Sequence, residues 1–175
     1  IRGLDNGTRF EQIYFFREKQ PISKLLILGT KPIMYLAAGN GVLWRSSDLG
    51  TKCEAVSDKF FDKNKIASAE FKNIIQLGAG DELLYATAYG LFKVSEQGRA
   101  WKILPLLTPP RSVNISALQA SPSSSLEIYY TAAGTLYHSR DLGRTWQTLS
   151  LPSTRKPTLL LIKSDNKTLY LGFSK

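Results

Sequence analysis

A short pattern of serine, aspartate, glycine and tryptophan recurs along this chain and limits what it can fold into. In Ser139-Arg140-Asp141-Leu142-Gly143-Arg144-Thr145-Trp146 the spacing is Ser-x-Asp-x-Gly-x-x-Trp. An apolar, β-rich run, residues 127–138, precedes it, and a second strand-like run, 147–151, follows. Serine and aspartate have short side chains that hydrogen-bond nearby backbone, and glycine takes positive φ at no steric cost. A tight hairpin loop needs both. Trp146 then offers a large apolar face where the next strand begins.

The spacing returns three times in altered form. Ser46, Asp48 and Gly50 keep it, with Cys53 where tryptophan would stand. Gly98 and Trp101 keep it, with Glu96 for the aspartate. Asp5 and Gly7 keep it, with Phe10 for the tryptophan. The glycines at 7, 50, 98 and 143 are 43, 48 and 45 residues apart. A period of about 40–50 residues is that of propeller blades.

At these residues the chain resembles the Asp-box, or bacterial neuraminidase, repeat. That repeat sits in the hairpins of β-propellers such as sialidases, xyloglucanases, sortilin-type receptors and the photosystem II assembly factor. The flanking runs look most like the non-enzymatic propellers and like secreted bacterial propeller lipoproteins. The resemblance covers nearly the whole chain and implies an all-β propeller of four-stranded antiparallel blades. It also implies structural work for the box residues, with Asp5, Asp48 and Asp141 accepting N–H bonds inside their turns.

The blades are expected at about 22–57, 71–105 and 112–152. A fourth is assembled from 158–175 and 1–16, so that residues 1–175 hold four blade equivalents. The tail supplies two strands, and the head supplies a third-strand stub, a box and a fourth strand. Joining tail to head gives a box-to-box step of 39, close to the other three. Three closures satisfy this count. The chain closes on itself; or two copies exchange ends as a homodimer; or the opening at Ile1 leaves further blades upstream, within a larger propeller. Residues 57–72 form the longest connection, with room for a short helix in which Phe60 and Phe61 cap the blade edge. Long connections are where binding residues concentrate. Pro109-Pro110 cannot continue a ladder and marks an extended connection.

A hydrophobic fraction of 43% against 21% charged fits a folded domain and excludes a disordered chain. No apolar run reaches the roughly 18 residues of a membrane span. The lone Cys53 excludes an intrachain disulfide and neither requires nor forbids a secreted location. The net charge is +9. It reads either as a solvated basic surface or as a face for an anionic partner, and no run is dense enough for a nucleic-acid patch. Arg155, Lys156, Lys163, Lys167 and Lys175, against Asp165 alone, form the best local basic face.

Catalytic, cofactor and metal sites are not expected. The Phe-Arg-Ile-Pro signature of sialidases is missing, and Pro109-Pro110-Arg111 does not replace it. The acids outside the boxes show no spacing that marks a catalytic pair. His138, the one histidine, has no second ligand near it in sequence and reads as a strand surface residue. The expectation is a non-enzymatic scaffold that binds a protein or peptide partner through propeller loops outside the cytoplasm, whether secreted, periplasmic or lipid-anchored. The alternative is a carbohydrate-active propeller: a sialidase-like or xyloglucanase-like hydrolase, or a glycan-binding module.

Overall fold

The computed structural model describes residues 2–12, 21–28, 33–67, 69–109, 114–163, 165 and 167–174. The expected strand residues 13–16, Pro110-Arg111 and Lys175 lie outside the described residues. Strands β1 (Arg2–Leu4) and β2 (Arg9–Glu11) form a two-stranded hairpin. The first four-stranded sheet is β3 (Ile22–Leu28), β4 (Ile33–Ala38), β5 (Leu43–Ser46) and β6 (Glu54–Ala55), paired in chain order. Helix α1 (Asp58–Lys63) follows. The second sheet is β7 (Phe71–Gln76), β8 (Leu83–Thr87), β9 (Leu91–Ser95) and β10 (Ala100–Leu104). The third is β11 (Ile115–Ala120), β12 (Ile128–Ala132), β13 (Thr135–Ser139) and β14 (Gln147–Ser150). Strands β15 (Pro157–Ile162) and β16 (Leu169–Phe173) make a final two-stranded sheet. Every pairing is antiparallel.

The second strand of each full sheet explains why these segments read as continuous apolar runs instead of alternating ones. Strands β4, β8 and β12 are buried at every residue, because each has a neighbouring sheet or covering chain on both faces. The first strands of successive sheets lie side by side, β3 by β7, β7 by β11 and β11 by β15. Sheets stacked face to face around a common line of first strands are propeller blades. The repeat is also written in the backbone. All four first strands carry a register shift at the same place, between Ile22 and Lys24, Phe71 and Asn73, Ile115 and Ala117, and Pro157 and Leu159.

That common register lets each blade's two faces be named. Tyr35 on the leading face of the first blade packs with Ile74 and Tyr85 on the trailing face of the second. Leu84 of the second packs with Leu118 and Tyr130 of the third. Tyr129 of the third packs with Leu160 of the last sheet. Burying one such large apolar side chain contributes about 1.5–3 kcal/mol, so these three seams hold the stack together.

The first blade's outer strand is shorter than expected, two residues in place of 52–56. The chain turns into α1 at Ser57, whose Oγ accepts the Leu43 N–H at 3.0 Å and ends the ladder. The expected union of head and tail is not among the strand pairings of the described residues. Strands β1–β2 and β15–β16 stand as separate two-stranded sheets among the described residues. Leu25 on β3 is 49% exposed and Tyr170 on β16 is 56% exposed, while Leu36, opposite Leu25 on β4, is buried.

Candidate functional site

The hairpin turns fall into two kinds, and the serine decides which. In the third blade Ser139 Oγ accepts the Gly143 N–H at 2.8 Å and donates to Asp141 Oδ1 at 2.8 Å. Asp141 Oδ1 also accepts the Thr145 N–H at 2.8 Å, and Oδ2 accepts the Thr145 hydroxyl at 2.6 Å. The first blade repeats this: Ser46 Oγ accepts the Gly50 N–H at 2.8 Å, and Asp48 Oδ1 accepts the Lys52 N–H at 2.8 Å. Gly50 and Gly143 take φ of +92° and +83°, the left-handed region where a side chain costs energy.

Where valine or glycine stands in place of that serine, the turn is a single 3-10 turn. Glu96 and Gln97 take φ of 51° and 58°, and Asp5 and Asn6 take 50° and 57°. These two turns close through backbone oxygens: Arg99 N–H donates to Glu96 O, and Thr8 N–H donates to Asp5 O. The carboxylate of Asp5 makes no bond in its turn among the described residues, contrary to the role expected for it. Without the serine hydroxyl beneath it, the loop is too tight for the carboxylate to reach back.

The aromatic residue of each turn has a different place. Trp146 Nε1 donates to Pro105 O at 2.9 Å, and its ring meets Tyr130 edge-on at 4.9 Å. Trp101 Nε1 donates to Gly98 O at 2.8 Å. Phe10 is 69% exposed. Cys53 is half-buried, and burial pushes its thiol pKa up.

Hydrogen bonds from Thr145, first from its hydroxyl and then from its N–H, hold the Asp141 carboxyl down to about 2 from its ordinary 3.8. A depressed folded-state value means that this carboxylate favours the fold above its unfolded pKa. The contribution fades as pH falls from about 4 through about 2. Carboxyl NMR titration of the folded protein is expected to place the Asp141 midpoint near 2. Asp141→Asn should flatten the acid limb of thermal stability in that window. A midpoint at the ordinary value would mean that the Thr145 bonds are not formed.

Helix α1 builds a concave feature in which charge and apolar surface meet. Its sequence, Asp58-Lys59-Phe60-Phe61-Asp62-Lys63, turns Phe61 inward and leaves both lysines exposed. Phe61 is 6% exposed and lies 5.6 Å from Phe92 and 5.7 Å from Trp101. Phe60 stacks on Trp101 at 5.4 Å and 20°. Trp101 in turn meets Tyr85 and Phe92 edge-on, each at 5.9 Å. A helix of six residues cannot hold itself in water, and this aromatic cluster anchors it. Between α1 and the second blade's turn runs a groove of about 700 Å³, floored by Phe60 and Trp101 and rimmed by Lys59, Lys63 and Arg99. The one acid on its lining, Glu54, is tied to Arg45 at 3.0 Å. Gly98 sits where an added Cβ would lie 3.0 Å from Val56, so glycine lets the turn close against the groove wall. Such a surface takes an anionic group at the rim and an apolar group on the floor.

A second cluster lies on the third blade. Tyr129 and His138 face each other across the β12–β13 ladder and stack at 4.1 Å and 4°. Glu127 Oε1 accepts the Tyr129 hydroxyl and contacts His138 Nε2, each at 2.8 Å. The histidine side chain is only 16% exposed, so it is not the strand surface residue expected. The sequence carried part of the signal, Glu127 and Tyr129 two apart; the rest is the β12–β13 register that sets His138 opposite Tyr129. Burial, and then the bond to Glu127, push the Tyr129 hydroxyl up to about 12. A phenol held protonated at neutral pH is a structural donor and a poor nucleophile.

Lys163 Nζ pairs with Asp165 at 3.2 Å, while Arg155, Lys156 and Lys167 are exposed. Among the described residues no cluster of His, Cys, Asp and Glu has metal-binding geometry.

No protein-family model matches the chain, and no curated protein matches it. Solved structures do. YCF48 bound to D1 peptide is 17% identical, with a TM-score of 0.62, over 93% of this chain and 50% of that one. YCF48 from Cyanidioschyzon merolae is 16% identical, with a TM-score of 0.58, over 79% and 39%. The GH74 enzyme of Niastella koreensis is 21% identical, with a TM-score of 0.66, over 87% and 26%. The chain therefore spans half or less of each of these matched chains. The likeness shows the fold, a β-propeller or part of one.

Proposed function

We propose that this chain is a non-enzymatic scaffold that binds an acidic segment of a protein partner in the groove between α1 and the second blade. The observation that carries the reading is the pairing of three rim cations, Lys59, Lys63 and Arg99, with the aromatic floor of Phe60 and Trp101. None of the three cations has a carboxylate partner among the described residues. The chain's charge of +9 draws the same kind of ligand from a distance. The groove sits on a rigid frame and is built by the long connection, where recognition residues concentrate. A solved propeller of this shape is YCF48 bound to D1 peptide, which supports a peptide over other ligands. The proposed site of action is outside the cytoplasm, as in the secreted propellers the sequence resembles, and fractionation of the source cells tests it.

The experiment is fluorescence anisotropy with a labelled acidic peptide bearing one aromatic residue, beside a charge-neutral control. Reversing the three rim charges together (Lys59→Glu, Lys63→Glu, Arg99→Glu) should weaken binding roughly tenfold or more, at about 0.2–1 kcal/mol for each exposed charge lost and as much again for each repulsion gained. Binding should also weaken as salt rises. The likeness to a GH74 enzyme supports the second reading, a carbohydrate-active propeller. Turnover of xyloglucan or a sialoside, with no preference for acidic peptide over control, would replace the scaffold reading with that one.

A further inference from the structure

The three full blades carry a base at the same place on the third strand. Arg45, Lys93 and His138 lie opposite the equivalent second-strand residues Tyr35, Leu84 and Tyr129. Each base has an acid, but the acids do not come from the same place. Lys93 Nζ lies 2.6 Å from Glu82, and His138 Nε2 lies 2.8 Å from Glu127. Those two glutamates stand one residue before Leu83 and Ile128, which pair with Val94 and Ser139. In the first blade the matching pair is Met34 with Ser46, and the residue before Met34 is Ile33, apolar and 6% exposed. The usual acid is therefore replaced by a side chain that cannot pair with a base.

Arg45 takes its carboxylate from the outer strand instead. Glu54 lies opposite it on β6, and Glu54 Oε1 accepts from Arg45 Nη1 at 3.0 Å. The Glu82 and Glu127 side chains are 35% and 16% exposed, whereas that of Glu54 is 66% exposed. Glu54 lines the groove beside α1. Behind it the Arg45 side chain is only 10% exposed, and its Nη2 donates to Gln97 Oε1 in the second blade's turn. A guanidinium this far out of water needs a counter-charge. Nothing in the ladder requires that the carboxylate belong to this chain.

We infer that Glu54 holds the place of a ligand carboxylate, and that Arg45 is the buried cation on which the ligand is anchored. The inference rests on the groove being the site for an acidic segment, and it adds which contact selects the acid. An aspartate or glutamate side chain of the partner takes the place of Glu54 on Nη1, and Glu54 swings into water. One carboxylate replaces another, so Arg45 is never left unpaired. A guanidinium can offer a carboxylate two parallel N–H bonds, and Glu54 uses one. A charge-neutral segment has nothing to put in that place. The exposed rim cations attract the ligand, and Arg45 discriminates.

The test uses the same labelled acidic peptide and charge-neutral control. Glu54→Gln should tighten binding of the acidic peptide about threefold or more, the size of effect that one exposed ion pair exerts. Asp62→Asn makes the same change of net charge on exposed α1 without touching Arg45, and should leave the affinity close to that of the parent. In the unaltered protein, the Glu54 carboxyl carbon resonance should move on saturation with the acidic peptide and stay in place with the control. This second measurement decides the matter should Glu54→Gln fail to fold. Equal gains from Glu54→Gln and Asp62→Asn, or a Glu54 resonance that does not move while the acidic peptide binds, overturn the exchange and leave the groove reading standing. No preference for the acidic peptide in either the parent or Glu54→Gln overturns both.

Discussion

Replacing Gly41 by alanine is expected to cost at least about 3 kcal/mol and to unfold the first blade in all but the mildest conditions. An alanine Cβ at this position would lie 1.9 Å from the carbonyl oxygen of Ala69, an overlap with backbone that no rotamer change relieves. The residue also takes φ of +86°, which adds about 1–2 kcal/mol for any residue with a side chain. Forced overpacking alone costs about 1–3 kcal/mol. The displacement would not stay local, because Gly41 O accepts the buried Tyr85 hydroxyl at 2.8 Å and so ties the first blade to the second. Urea denaturation followed by far-ultraviolet dichroism measures it. A midpoint within error of the parent would mean that the connection leading into β7 does not pass over this turn.

The second large effect is expected from Trp101→Ala, at about 3–5 kcal/mol for the loss of a large packed aromatic. Trp101 joins Phe60 and Phe61 of α1 to Tyr85 and Phe92 of the second blade. Removing it takes away the helix's anchor as well as core contacts. Two readouts should therefore move together, global stability in urea and protection of the α1 amides from hydrogen exchange. Trp101→Phe should restore most of both, because the cluster is aromatic on every side. Loss of stability with α1 still protected would show that the helix is held by something other than this ring.

Much of the architecture was legible because it is local and periodic. The positive φ of Gly50, Gly98 and Gly143 follows from hairpin chemistry, and the buried runs 33–38, 83–87 and 128–132 follow from composition. What was not legible depends on meetings between distant segments. The cluster of Glu127, Tyr129 and His138 needs the β12–β13 register, which brings His138 opposite Tyr129. The groove needs α1 to dock on Trp101, some forty residues along, although Phe60 and Phe61 were readable as a cap for the blade edge. The union of 1–16 with 158–175 was inferred from counting alone. A count gives the phase of the repeat but not which strands pair.

The abrupt end of β6 affects the protein's life at high concentration. An outermost strand is a ladder of unsatisfied donors and acceptors on which a stray chain can template itself. In the first blade that ladder is two residues long, and the Leu43 N–H beyond it is already occupied by the Ser57 hydroxyl. The blade that lost its turn tryptophan to Cys53 is thus the one least able to seed aggregation along its rim.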